Sequence, residues 1–274
     1  MKHTEESVYG NLSKERKDLQ AKGLLPDWYT TAGWQMFKSK YLFGTDQAVK
    51  GQFKRIAKTA AKHLNGSKFE KEAEAKFFNL LWKGWLSPST PVIANMGTDR
   101  GLPVSCSGGY IHDSIDGFYS TLHETALLTK WGFGTSGYFG DIRPRGSSIS
   151  VGGKASGVVP VYKQYILAMQ DVSQGSSRRG AFAAYLSIEH GDFDEVADFV
   201  LNSPDDANIG WNITDSFIAK LEKGDSEATR RFQKAMKLKM VTGRGYFCFI
   251  DKVNRKRPQA YVNNNLHVKA SNLC

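Results

Sequence analysis

Residues 114–144 read SIDGFYSTLHETALLTKWGFGTSGYFGDIRP, and this stretch decides the fold class. Its first part places Ile115, Phe118, Tyr119, Leu122 and Ala126 on one helical stripe, with Asp113 or Ser114 available to cap the first turn, which predicts a helix from Ser114 to Trp131. Gly132-Phe133-Gly134-Thr135-Ser136-Gly137 then matches the G-x-G-x-x-G of dinucleotide-binding folds, a pattern that needs a strand before it and a helix after it. Here a helix precedes it. The chain continues as Tyr138-Phe139-Gly140-Asp141-Ile142-Arg143-Pro144, whose glycine and proline oppose helix initiation. The order argues against a Rossmann site, and the glycines are expected to form a tight turn with positive φ or a backbone that approaches a ligand closely.

Downstream, Pro160 to about Val172 is a second predicted helix, with Val161, Tyr165, Met169 and Val172 along one face and Pro160 tolerated in its first turn. It runs into a Ser- and Gly-rich loop. A third spans Ser226 to Met240, ends near Gly243, and precedes the β-like run Tyr246-Phe247-Cys248-Phe249-Ile250. Short apolar runs alternating with amphipathic segments indicate an α/β domain. Upstream the chain reads as helical: Phe53, Ile56, Ala57, Ala60 and Ala61 recur at helical spacing, as do Phe77, Leu80, Leu81 and Trp85, all expected to pack. The expected organisation is a helical domain over residues 1–95 and an α/β domain over 96–274, without internal repeats.

The chain has 274 residues, enough for one large domain or two modest ones, and a formal charge of +10. That charge suits phosphate-bearing small molecules as well as nucleic acid, and no nucleic-acid motif accompanies the basic clusters at Lys14–Lys17 and Arg255–Arg257. No stretch approaches the roughly 18 apolar residues of a membrane helix, and the polar start MKHTEESVYG lacks a signal-peptide core, so a soluble cytoplasmic protein is expected. Cys106, Cys248 and Cys274 are too few and too dispersed for a disulfide scaffold or a C-x-x-C zinc site, which leaves catalysis or packing as their roles. Cys248, in an apolar run, reads as packing.

Four segments, in order, carry a resemblance: Ser89-Thr90-Pro91-Val92, Val104-Ser105-Cys106, Ala155-Ser156-Gly157-Val158-Val159-Pro160-Val161, and Ser271-Asn272-Leu273-Cys274. Together they resemble the large, catalytic subunit of class I ribonucleotide reductase, over most of residues 75–274. The resemblance implies a ten-stranded α/β barrel of two five-stranded parallel halves, of which this chain would supply the helical domain and the first half, ending at the radical cysteine. It implies that Cys274 carries a thiyl radical that abstracts the ribose 3′ hydrogen from roughly 3 to 3.5 Å, the range of a near-attack geometry. Asn272 would hydrogen-bond the ribose hydroxyls. Cys106 would supply one reducing equivalent and form half of a disulfide at each turnover. A chain end that merely finishes in cysteine, and a small buried thiol at Cys106, are the bland alternatives.

By the same resemblance, substrate binding falls to Thr90 and Ser105, whose hydroxyls and amides suit a phosphate, to Gly132, which lets the backbone approach the sugar, and to Arg178 in the Ser173–Gly180 loop. Thr90 could equally serve as a turn or cap before Pro91. Asp113 and Ser114 correspond to positions that contact an allosteric deoxynucleoside triphosphate, and Arg143 to one that holds its phosphate. Ser150 stands where relatives often carry a second basic residue. No cofactor or metal is expected on this chain; the metal-radical centre belongs to a partner small subunit. Other implied partners are a companion polypeptide with the C-terminal half, a second copy of the assembled large subunit, and thioredoxin or glutaredoxin. Nucleic acid and membrane are not among them.

Some family features have no counterpart in the sequence. An N-terminal ATP-binding module is missing, so no overall dATP switch is expected. The general-base glutamate, the second redox cysteine, the radical-path tyrosines and the tail thiols would follow Cys274, and a naturally split enzyme is therefore expected. A cobalamin-dependent relative is the nearest enzymatic rival, although its loop usually has proline where Leu273 stands. A non-catalytic fragment that senses deoxynucleotides is the alternative of a different class, and a basic nucleic-acid binder a third.

Overall fold

The computed structural model describes residues 2–44, 46–64, 66, 68–150, 152–172 and 181–271. The chain divides into two compact units, Met1–Ser105 and Cys106–Cys274. Among the described residues no helix is long and apolar enough to cross a membrane.

The first unit is helical: α1 (Lys2–Ala21), α2 (Thr31–Met36, continued by a π turn over Phe37–Tyr41), α3 (Val49–Ala61), α4 (Glu70–Trp82) and α5 (Thr90–Asn95). Its core comprises Leu25, Trp34, Phe37, Val49, Phe53, Ile56 and Leu81. The predicted α3 stripe is therefore the buried face. The second stripe holds only in part. Leu81 is buried, but Leu80 is exposed and Trp85 is 74% exposed. The helix stops at Trp82 and the chain turns at Gly84 (φ 72°), so helical spacing no longer governs where Trp85 points. Phe78 and Trp82, stacked with ring centroids 5.6 Å apart, pack on the core instead.

The second unit runs β1 (Cys106–Tyr110), α6 (Ile115–Lys130), β2 (Gly134–Tyr138), α7 (Val158–Asp171), β3 (Phe182–Ser187), α8 (Phe193–Asn202), β4 (Ile209–Ile213), α9 (Asp215–Glu222), α10 (Ser226–Thr242), β5 (Tyr246–Phe249), α11 (Ile250–Arg255) and α12 (Gln259–Asn263). The five strands form one sheet in the order β1-β2-β3-β4-β5, every pair parallel. Parallel crossovers are almost always right-handed, so a sheet that never reverses its order collects all its helices on one face. That is observed: Phe118, Val161, Tyr165, Val196, Phe217, Ala235 and Leu238 from α6 to α10 share one core with Phe182, Ala184, Leu186, Ile209, Trp211 and Ile213 of the central strands. A helical unit followed by a five-stranded all-parallel half of an α/β barrel is the expected architecture.

Ser114 caps α6 by accepting from the Gly117 amide at 3.0 Å, as predicted. The predicted stripe holds in part: Phe118, Leu122 and Ala126 pack against the core, but the most buried positions lie beside them. Gly117, Thr121, Thr125 and Thr129 are buried, whereas Ile115 is 70% and Tyr119 53% exposed. Small side chains are needed there because the helix lies close over glycine-rich β1: a Cβ on Gly109 would stand 3.0 Å from Thr121 Cγ2. The hydroxyls cost little because Thr125 and Thr129 donate to the carbonyls four residues back, at 2.7 and 2.9 Å. Gly132, at φ 94°, makes the predicted turn between α6 and β2.

One buried carboxylate organises the long β2–α7 connection. Asp192 accepts from the amides of Arg145 and Val158, each at 2.8 Å, and so ties the connection and the start of α7 to the turn after β3. Gly157 (φ 79°) is required beside it, since a Cβ would stand 2.4 Å from Asp192 Oδ2.

Candidate functional site

Strand alternation sends Phe182, Ala184, Trp211 and Phe247 toward the helices, so the alternate residues populate the opposite face of the sheet. Register aligns Tyr110, Tyr138, Tyr185, Gly210 and Tyr246 in one row across all five strands of that face. Gly210 leaves room for the Tyr185 ring, whose Cε1 would lie 2.2 Å from an added Cβ. Cys248 and Asn212 are paired on the same face. Cys248 therefore packs on the face opposite the helix-side core. It is a half-buried free thiol whose pKa is pushed up by burial.

After α12 the chain returns across this face. Asn254 donates to the Val268 carbonyl at 2.9 Å and accepts from the Val268 amide at 2.8 Å, and Asn212 on β4 donates to the Lys269 carbonyl at 2.7 Å. At the β1–β2 end the Lys269 ammonium lies 4.6 Å from the Tyr110 ring centroid and 5.2 Å from that of Tyr138, and 2.5 Å from an Asp141 carboxylate oxygen. Tyr110 donates its hydroxyl to that same oxygen at 2.6 Å. The segment and the strands together wall a cavity of 820 Å³ that includes Gly108, Ser136, Tyr138, Tyr261, His267 and Ser271.

The charges within this wall support one another. Burial raises the Asp141 pKa, but hydrogen bonds from Lys269 and Tyr110 outweigh it and hold the carboxyl below its usual range. Burial opposes the Lys269 charge, and Asp141 more than restores it. The Tyr110 pKa rises chiefly because its hydroxyl donates to Asp141, and that of Tyr138 chiefly because it is buried. Burial takes Tyr185 to about 12. All three phenols are neutral hydrogen-bonding groups near pH 7.

A second polar cluster stands at the start of α6. The Arg143 guanidinium donates to Asp113 at 2.6 Å and to the Ser148 carbonyl at 3.2 Å, with Ser114 next in the chain as the helix cap. The three residues expected to hold an effector are thus neighbours, although they come from the β1–α6 and β2–α7 connections. Cys106 opens β1, opposite Gly134 of β2. In the first unit, Thr90 opens α5 and its hydroxyl lies 3.4 Å from that of Tyr41. It does not cap the helix. The buried Gln52 donates to the Tyr41 and Ile93 carbonyls at 2.9 Å each, which fixes α5 against α3. Ser105 is the last residue of that unit. Asn272, Cys274 and Arg178 lie outside the described residues.

Residues 27–101 match the all-alpha domain of ribonucleotide reductase and residues 104–230 its barrel domain, in the order and with the division that the two units display. The chain belongs to the ribonucleotide reductase large-subunit family. It is 34% identical to the class Id ribonucleotide reductase alpha subunit of Actinobacillus ureae, whose structure superposes with a TM-score of 0.80 over 90% of this chain and 45% of that one. A Frog virus 3 protein assigned as a ribonucleoside-diphosphate reductase large subunit is 30% identical over 237 residues, 79% of this chain and 40% of its own. A vitamin B12-dependent ribonucleoside-diphosphate reductase of Mycobacterium tuberculosis is 30% identical over 218 residues, 73% of this chain and 31% of its own. The chain thus spans less than half the length of these reductases.

Lys269, Asp141, Tyr110 and Tyr138 belong to no motif that the sequence displays, and motif reading passes them over. A usable signal was present: β1 (CSGGY) and β2 (GTSGY) both end in Gly-Tyr, which in a parallel register places two tyrosines side by side.

Proposed function

We propose that this chain forms the helical domain and first half-barrel of a ribonucleoside-diphosphate reductase catalytic subunit, which reduces ribonucleotides to deoxyribonucleotides for DNA synthesis by thiyl-radical chemistry under allosteric control. The observation that carries the reading is the course of Leu266–Ser271. It lies across the non-helical face of a half-barrel sheet and leads into Asn272-Leu273-Cys274, while Cys106 opens the first strand of the same sheet. Cys274 is the radical-bearing thiol, Asn272 orients the ribose, and Cys106 contributes one of the reducing thiols. Thr90, Ser105, Gly132 and Arg178 hold the substrate. Asp113, Ser114 and Arg143 bind a deoxynucleoside triphosphate, which exchanges for part of the Asp113–Arg143 pairing.

The sheet ends at β1 and β5, each with one unpaired side among the described residues, and open parallel edges need a second sheet to close them. In this reading a companion polypeptide brings the second half-barrel, with the general base and the second redox cysteine. A small subunit generates the radical at its own metal centre, the assembled large subunit pairs with a second copy, and thioredoxin or glutaredoxin resets the thiols. Leu273 favours this two-subunit type over the cobalamin-dependent one.

The test is reduction of a ribonucleoside diphosphate by the chain assembled with the companion half and the small subunit. Cys274→Ser is expected to abolish turnover and leave deoxynucleotide binding intact. Full turnover by the variant would overturn the radical assignment, and an assembly that binds deoxynucleotides but never turns over would mark a sensing fragment instead.

A further inference from the structure

We propose that Lys269 is a positioning residue: seated over the neighbouring Tyr110 and Tyr138 rings and paired with Asp141, it latches the Leu266–Ser271 segment across the sheet and so sets where the three residues after it are delivered. The inference deepens the reductase reading and rests on it for the catalytic consequence.

The segment has no strand or helix of its own between Asn264 and Ser271, so its path depends on side-chain anchors. Two are amides near one end: Asn254 holds Val268 through both its amide and its carbonyl, and Asn212 holds the Lys269 carbonyl. These fix Val268 to α11 and Lys269 to β4. The Lys269 side chain adds an anchor toward the β1–β2 edge of the sheet. An ion pair as open as this one, with side chains 45% and 40% exposed, holds weakly alone. Three further features strengthen it. The ammonium lies within cation–π range of two neighbouring rings, near-parallel at 16° with centroids 6.1 Å apart. Tyr110 donates to the same Asp141 oxygen, which orients the carboxylate. The two rings also stand in register on adjacent strands, so the receptor for the lysine is rigid.

Lys269 is followed directly by Ala270-Ser271-Asn272-Leu273-Cys274, so an error of direction at the lysine is carried forward into the reacting sulfur. Hydrogen abstraction tolerates little such error: a misplacement of about 1 Å costs on the order of 100-fold in rate.

Hydrogen exchange of the full chain is the first measurement. The Val268 amide, bonded to Asn254, is expected to exchange on the order of tenfold faster in Lys269→Met and Asp141→Asn, while Lys269→Arg retains protection. Unchanged β3 amides such as Leu186 serve as the control for folding. The second measurement is turnover in the assembled reductase. Lys269→Met is expected to lower kcat about 100-fold with KM within about twofold, and Lys269→Arg to restore most of it. Wild-type protection at Val268 in Lys269→Met overturns the latch, and accelerated exchange with undiminished kcat overturns the positioning role. If the wild-type assembly shows no turnover, the reductase reading fails, and the latch is then decided by exchange alone.

Discussion

Asp192→Ala should be the most informative single disruption of the second unit outside its catalytic residues. The carboxylate is 5% exposed, and its two oxygens each accept one backbone amide, from Arg145 and from Val158, at 2.8 Å. Hydrogen bonds to a charged acceptor contribute about 1.5–3 kcal/mol each, so their joint loss costs about 3–6 kcal/mol. The lower end is expected, because the Arg145 amide is only partly buried and water can replace the acceptor there. Asp192→Asn keeps one acceptor oxygen and should cost about half as much. The assay is urea unfolding followed by fluorescence of Trp211, which is fully buried in the same unit. The two variants should lower the midpoint in that order with no change in slope. A functional readout accompanies it: the loosened connection carries Arg143, so deoxynucleotide binding should weaken in parallel. An Asp192→Ala protein destabilised by less than about 1 kcal/mol would refute the assignment of these two bonds as the anchor of the connection.

Two further outcomes are expected. Arg143→Ala should weaken deoxynucleoside triphosphate binding about 10- to 100-fold by calorimetry, the value of one charge-assisted phosphate contact, and unchanged affinity would remove Arg143 from the effector site. On α8 and α10, Asp194 is held well below the usual carboxylate range, first by Arg230 and then by Lys234, and Glu227 is lowered to about 2 by Arg230 and Arg231. Both pKa values are depressed on folding, so their contribution is complete above about pH 4–5 and declines progressively as the pH falls below that range. The urea midpoint of Asp194→Asn should therefore lie below that of wild type at pH 7, and the gap should narrow steadily as the pH falls below about 4; a gap that does not narrow in acid would contradict the ion-pair account.

Much of the architecture was legible because it is a matter of local periodicity. Ser114 before an amphipathic run marked the start of α6, Gly243 marked the end of α10, and the aromatic run after it became β5. The failures share a cause. Ile115 and Tyr119 are apolar at the correct spacing, yet the buried stripe runs through Thr121, Thr125 and Thr129 beside Phe118, Leu122 and Ala126, because glycine-rich β1 approaches closely where it faces Thr121. Trp85 continues a spacing whose helix has already ended.

The sequence alone determined α6, α7, α10 and β5 and argued against a Rossmann site, and the family resemblance grouped Asp113 with Arg143 as one candidate. The elements follow from interactions between near neighbours in the chain, whereas the grouping follows from the resemblance. Only the tertiary structure decided that Lys269 meets Asp141, a partner 128 residues away, beside tyrosines of two different strands. Strand register decides that meeting, and register is fixed by the packing of the whole sheet against its helices, a sum over distant contacts that no local pattern encodes.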